Sequence, residues 1–389
     1  MKPPSDTHGL KLSREEEYNR HQSMRGVGEV KKYKIALLPG DGIGPEIVQE
    51  ARKVLAAIEA RGQMEFECAE AAFGGAAYMQ TGRAFPEQTM EICDGADAII
   101  KGPIGLSKEE TDLIPVDEQP ERGALLPMRR RYDTFANYRP VYLPKGLAHF
   151  SPLKAEVVGD GIDLLMIREL VGGLYFGHKE QGMDDSGRRY VRETLEYDEV
   201  QIARILHVAF GEAQKRKRVL HNVHKSNVLL SSVLWNQMLE EVALEYPQVE
   251  VRHIIVDAAA TALCLDPRQF DVMVMENMMG DILSDLGGGV LGSLGLMPSA
   301  CVGPDKAYYE PAHGSAPDIA GRGIANPYSM IGSVALMLET SFGRVEEARA
   351  IWSALEGVFA DGYATADLAG EGATVLDTAG FGDKVVERL

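Results

Sequence analysis

The sequence predicts an α/β protein, built on a parallel or mixed sheet with helices against it. Three observations carry that prediction. Short apolar runs rich in β-branched residues alternate with longer amphipathic stretches along most of the chain. The chain has 389 residues, of which 45% are hydrophobic, enough to bury a substantial core in two domains or one large unit. No internal repeat and no apolar run of membrane-spanning length interrupts the alternation.

The elements follow in order. The first strand is KIALLPG, Lys34 to Gly40, and the first helix is opened by Pro45 and Glu46 and runs through VQEARKVLAAIEA with apolar positions at helical spacing. Further strands are FECAEA, ADAIIKG, LLMIREL, RVLHNVH, VRHIIVD and FDVMVME. The segment from Gly172 to Tyr197 breaks the pattern. It is polar and Gly-rich, with aromatic residues at both ends, and reads as a protruding antiparallel arm. From Asn326 the chain is Ala-rich and helical through MIGSVALMLETSFG, then glycine-rich and acidic.

Composition excludes several function classes. A net charge of -18 argues against a nucleic-acid binder, which needs a basic face. Cys68, Cys93, Cys264 and Cys301 lack CxxC spacing and read as core residues of a reduced, cytoplasmic protein. Residues 1–33 are polar and charged, with Glu15, Glu16 and Glu17 in a row and no apolar core of a secretory signal. They are expected to form a flexible extension.

Several stretches carry chemistry. GDGIGPE, Gly40 to Glu46, follows a strand and opens a helix, but Pro45 stands where a dinucleotide loop needs its third glycine. A tight strand-to-helix turn is its expected role. Asp281 and Asp285 are spaced i and i+4 among apolar neighbours, which puts them on one face of a helix that is not plainly solvated. Asp257 follows the apolar run IIV. Three hard oxygen ligands suit Mg2+ or Mn2+ better than zinc. The competing reading is a set of solvated, dipole-compatible acids.

Arg129, Arg139 and Arg168 lie in or beside the apolar runs ALLPMR, FANYRP and LLMIREL, where a guanidinium needs an anion. Any one of them would suffice for an internal ion pair; three together fit a dicarboxylate substrate. Arg130 and Arg131 are expected to point elsewhere. Lys225 closes a strand as a candidate proton acceptor or structural ion-pair partner. Tyr175, in GGLYFG, is a candidate general acid or a packed aromatic. The run HGSAPDIAGRGIANP, His313 to Pro327, is long and polar enough to bind a ligand. There Gly314, Ser315 and Ala316 are small, and Asp318 suits a ribose hydroxyl while repelling a 2′-phosphate.

The motifs LLPGDGIGPE, QPERGALLPMR, FANYRP, IRELVGGLYFG, VHKSNVL, GDILSDL and HGSAPDIAGRGIANP resemble the isocitrate/isopropylmalate dehydrogenase family of β-decarboxylating dehydrogenases. The resemblance covers residues 34–389. It implies two domains sharing a mixed sheet, not a classical Rossmann fold. The cofactor-side domain would combine 34–134 with 292–389. The dimerisation and catalytic domain would hold 135–291, with an arm near 172–197. It also implies a homodimer in which Lys225 and Asp257 complete the partner's site.

The resemblance implies catalytic roles for Tyr175, Lys225 and Asp257, and a divalent cation, Mg2+ or Mn2+, on Asp257, Asp281 and Asp285. Substrate would be held by Arg129, Arg139, Arg168 and Asp257. NAD would lie on Glu121, His313, Gly314, Ser315, Ala316, Pro317, Asp318, Ile319 and Asn326. Isocitrate-specific members carry a serine and an asparagine before the first arginine. Here Ala124, Leu125 and Leu126 form an apolar wall, with Val228 as companion. That wall suits an isopropyl group and would leave a third carboxylate unpaired. The implied reaction is NAD-dependent oxidative decarboxylation of (2R,3S)-3-isopropylmalate to 4-methyl-2-oxopentanoate in leucine biosynthesis. A sister activity on malate, tartrate or homoisocitrate and a non-catalytic regulatory subunit are the alternatives. Glu276, the pair Met278-Met279, and the turn KGPIG depart from the family's common pattern.

Overall fold

A computed structural model describes residues 30–389. The expectation for the N-terminal extension falls outside the described residues up to position 29. The first strand, β1, spans Lys31–Leu38, so positions 31–33 are strand rather than extension. Tyr33 explains the earlier start. Its buried ring stacks on Phe66 and Phe342 and draws the charged residues before it into register with the next strand.

The other strands are β2 (Met64–Glu70), β3 (Ala98–Lys101), β4 (Ala136–Pro144), β5 (Gly161–Glu169), β6 (Lys179–Met183), β7 (Arg189–Glu193), β8 (Val219–His224), β9 (Glu250–Ile255), β10 (Val272–Met275), β11 (Pro298–Val302), β12 (Ala307–Pro311) and the two-residue pair β13 (Tyr363–Ala364) and β14 (Thr374–Val375). Ten of them form one sheet in the order β2-β1-β3-β12-β11-β4-β5-β10-β8-β9. The sheet is mixed. Pairing is antiparallel from β12 through β11 and β4 to β5, and parallel on either side of that centre. Strands from 31–101 and 298–311 fill one half, and strands from 136–275 fill the other.

The predicted strands are all present as β1, β2, β3, β5, β8, β9 and β10. The central antiparallel strands carry weaker signals. β4 holds Pro140 and Pro144, which argue against an interior strand. They are tolerated because β11 pairs only with Ala136, Asn137 and Tyr138, so from Arg139 onward β4 has a partner on one side only.

β6 and β7 form an antiparallel ribbon separate from the main sheet, as the polar arm segment suggests. The helix Gly44–Ala60 packs on the helices Tyr328–Thr340 and Thr378–Val386, and a buried cluster from Tyr33 to Val385 fills this side of the sheet. No helix among the described residues is long and apolar enough to cross a membrane.

Candidate active site

β3 and β12 run opposite to β5 and β10, and residues near the ends of β3, β12 and β5 come together over the antiparallel centre of the sheet. A cleft of about 460 Å³ opens there. Its floor is basic. Arg168 ends β5, Arg139 lies in β4, and Arg129 comes from the helix Leu126–Arg131; all three are buried.

Each arginine is oriented from behind. Arg168 donates through Nε and Nη2 to Asn277 Oδ1 and through Nη1 to Asp281. Arg139 donates through Nε to Asn137 Oδ1 at 3.0 Å and through Nη1 to Ser284 Oγ at 2.8 Å and Asp285 Oδ1 at 3.0 Å. Arg129 donates through Nε to the Tyr308 hydroxyl at 2.9 Å. Burial pushes the Arg168 guanidinium down to about 10, which still leaves it charged near neutral pH. For Arg129 burial acts the same way, but Tyr308 and Glu310 outweigh it and the net shift is upward. Arg130 stacks over Phe176 and Arg131 pairs with Asp94, so both turn away as the sequence suggests.

Asp281 and Asp285 do share a helix, Asn277–Leu291. Gly280 lets that helix close on the sheet: a Cβ there would meet the stem of Arg168. Tyr175 donates its hydroxyl to Asp281 Oδ2 at 2.8 Å. Burial acts first to raise the Asp281 carboxyl, but Arg168 and the Tyr175 bond hold it below its ordinary value. The Tyr175 phenol is pushed up to about 12 by burial and by Asp281, so it keeps its proton near neutral pH. Glu276 has a structural explanation. Its carboxylate caps the same helix, accepting from Met278 N at 3.0 Å and Met279 N at 2.8 Å.

The second rim is the run 313–327. Its Ser315 is buried, donates to Gly105 O at 2.6 Å, and accepts from Ile43 N through its carbonyl. Gly42, at φ +55°, lies so close that a Cβ would collide with that carbonyl. Asp41 accepts from Gly75 N, Ala76 N and Gly105 N. GDGIGPE is therefore a tight turn that braces the rim. Ala316 adopts φ +42°, and Pro317, Asp318 and Ile319 form a short 3-10 turn that leaves Asp318 exposed. Burial lowers the His313 pKa; its Nδ1 lies 2.8 Å from Gly314 O. Asn326 is committed to Asp367 Oδ2 and to Tyr328 N.

Thus Glu121, Leu125, Arg129, Arg139, Arg168, Tyr175, Asp281, His313 and Gly314 line one cleft. Asp285 joins it through Arg139. Lys225, Asp257 and Val228 are not part of that lining. Lys225 Nζ bonds Asp257 Oδ1 at 2.6 Å, and that hydrogen bond holds the Asp257 carboxyl low. Val228 is 70% exposed nearby in sequence. Among the described residues of one chain, no three His, Cys, Asp or Glu side chains gather as a metal site. Asp281 and Asp285 nonetheless suit a hard divalent cation as two oxygen donors on one helix face, partly open to solvent.

Sequence reasoning missed Lys101, Glu310 and Asn277. Lys101 and Glu310 are both buried in the cleft wall and paired at 2.6 Å. The only sequence signal is a charge at the end of each apolar strand.

Residues 34–385 match the family model described as isocitrate/isopropylmalate dehydrogenase. The chain belongs to that family. Among relatives of this isocitrate/isopropylmalate dehydrogenase family member, the 3-isopropylmalate dehydrogenase of Thermotoga maritima is 48% identical, covering 92% of this chain and 99% of its own. That of Geobacter sulfurreducens is 46% identical with the same coverage, 92% and 99%. Among solved structures, isocitrate dehydrogenase from Methylococcus capsulatus superposes with a TM-score of 0.81 at 34% identity, covering 92% of this chain and 99% of that one. The fold is therefore this family's two-part mixed α/β architecture.

Proposed function

We propose that the protein catalyses NAD-dependent oxidative decarboxylation of (2R,3S)-3-isopropylmalate, the leucine-biosynthesis step named by its relatives. One observation carries the reading: three buried arginines converge with Tyr175 and Asp281 on a cleft whose apolar lining includes Leu125 and Leu126, next to Arg129 in the chain. Arg129, Arg139 and Arg168 bind the two carboxylates. The leucines receive the isopropyl group, where a third carboxylate would be left desolvated and unpaired.

Lys225, oriented by Asp257, takes the proton from the C2 hydroxyl. Tyr175, still protonated at neutral pH, returns a proton to carbon after CO2 leaves. NAD would supply the hydride acceptor, and a divalent cation would supply positive charge to the substrate oxygens. Glu121 and the rim from His313 to Ile319, with Asn326, would hold the cofactor, and Asp281, Asp285 and Asp257 the cation. The two domains would be 34–134 with 292–389, and 135–291.

Lys225 and Asp257 lie outside the cleft of their own chain, which supports a homodimer that places them in the partner's site. The contacting helices Val256–Leu265 and Asn277–Leu291 expose the apolar side chains Leu265 at 68% and Ile282 at 63%, surface that a second copy would cover. Incubation with 3-isopropylmalate, NAD+ and Mn2+ should produce NADH and CO2, and a chelator should stop it until Mn2+ or Mg2+ returns. Undiminished NADH formation in chelator would remove the cation from the reading.

A further inference from the structure

We propose that Lys101 is a positioning residue for substrate binding: it holds the Glu310 carboxylate away from Arg129, keeping that guanidinium open for a substrate carboxylate. The inference rests on the reading of Arg129 as a carboxylate ligand. The sheet itself sets up the arrangement. β3 and β12 run parallel with Ile100 beside Tyr309, so the next residues, Lys101 and Glu310, fall side by side at the cleft edge. Both are buried, and both line the cleft with Arg129.

The distances decide which cation owns Glu310. Lys101 Nζ is 2.6 Å from Oε2, whereas Arg129 Nη2 is 3.9 Å from Oε1, beyond hydrogen-bond reach. Burial works to neutralise Glu310, and Lys101 first, then Arg129, hold it ionised. Lys101 also donates to Gly102 O at 2.9 Å and sits over the Phe73 ring, so its ammonium is largely satisfied within the protein. That fits an indirect role. Among the described residues, Arg129 has only Nε committed, to Tyr308, and its Nη groups make no hydrogen bond.

Without Lys101, Arg129 becomes the nearest cation to a buried carboxylate. A gap of 3.9 Å closes with a rotamer adjustment, and Glu310 then competes with substrate for the same fork. A lysine at this position thus sets how much of the Arg129 charge reaches the substrate.

The test compares Lys101→Met, Glu310→Gln and the double variant, using the 2-hydroxy diacid that the wild type turns over best. That choice is made on the wild type first, so a wrong substrate assignment is seen before any variant is read. Circular dichroism and melting confirm folding. Lys101→Met should raise KM on the order of tenfold while kcat changes much less. Adding Glu310→Gln should bring KM back to within roughly threefold of wild type, because the competing charge is gone. An unchanged KM in Lys101→Met would overturn the proposal. So would a double variant with a KM raised tenfold or more, since Lys101 would then be touching substrate itself. If Lys101→Met does not fold, Lys101→Gln, which keeps a polar contact to Glu310 but no charge, is read alone and with Glu310→Gln by the same KM criteria.

Discussion

Tyr175 and Arg168 share one carboxylate: the phenol donates to Asp281 Oδ2 at 2.8 Å while the guanidinium takes Oδ1. The proposed proton donor, a proposed substrate-binding cation and a metal-ligand candidate are thereby fixed to one another. Burial first, and then the sharing, raise the Tyr175 phenol to about 12, since loss of its proton would leave a desolvated phenolate facing Asp281.

Tyr175→Phe removes the proton and keeps the ring. It should lower kcat by roughly a hundredfold or more with a small change in KM, read by steady-state NADH formation. An equal loss in kcat/KM through KM alone would assign Tyr175 to binding instead.

The dimer reading is tested by complementation. Lys225→Met and Arg129→Met should each be nearly inactive. If a site draws Lys225 from one subunit and Arg129 from the other, unfolding and refolding the two together should give hybrid dimers with one intact site. Statistical mixing then restores about a quarter of wild-type activity. A mixture no more active than its components would place both residues in one subunit's site.

His221 offers a pH prediction. Its ring is buried against Phe270, its Nδ1 has no partner among the described residues, and burial lowers its pKa from 6.5 to about 4. The unfolded chain therefore binds this proton more readily than the folded one. The neutral ring costs nothing above pH 6.5, and stability falls as pH drops from 6.5 towards 4. His221→Leu should flatten that part of the denaturation profile measured by urea midpoints. A profile of unchanged slope would show that His221 does not contribute to it.

Much of this was legible in the sequence, for identifiable reasons. The parallel strands are continuous apolar runs, and the i, i+4 spacing of Asp281 and Asp285 announced their shared helix. The centre of the sheet was harder. β4 breaks its run with two prolines, and β11 (PSACV) and β12 (AYYEP) hold few β-branched residues to mark them. The Lys101–Glu310 pair joins residues far apart in sequence, and nothing but strand order brings them together. Glu276 looked anomalous only because a cap's role depends on where its helix begins.

Asp318 is exposed on the rim with no protein partner for its carboxylate among the described hydrogen bonds. At an adenosine ribose it would accept the hydroxyls and repel a 2′-phosphate. The protein should prefer NAD+ over NADP+ by on the order of a hundredfold in kcat/KM, and Asp318→Lys should narrow or reverse that. Equal use of both cofactors by the unmodified protein would remove Asp318 from the ribose.

Three arginines beside an apolar wall are expected to select a diacid bearing a branched alkyl group. The most direct measurement is kcat/KM for 3-isopropylmalate beside isocitrate, homoisocitrate, malate and tartrate, each with NAD+ and Mn2+. 3-Isopropylmalate should lead every other diacid by at least roughly tenfold, the discrimination expected of an apolar pocket. A higher value for isocitrate or homoisocitrate would contradict it, because Leu125 and Leu126 would then be accommodating a charge.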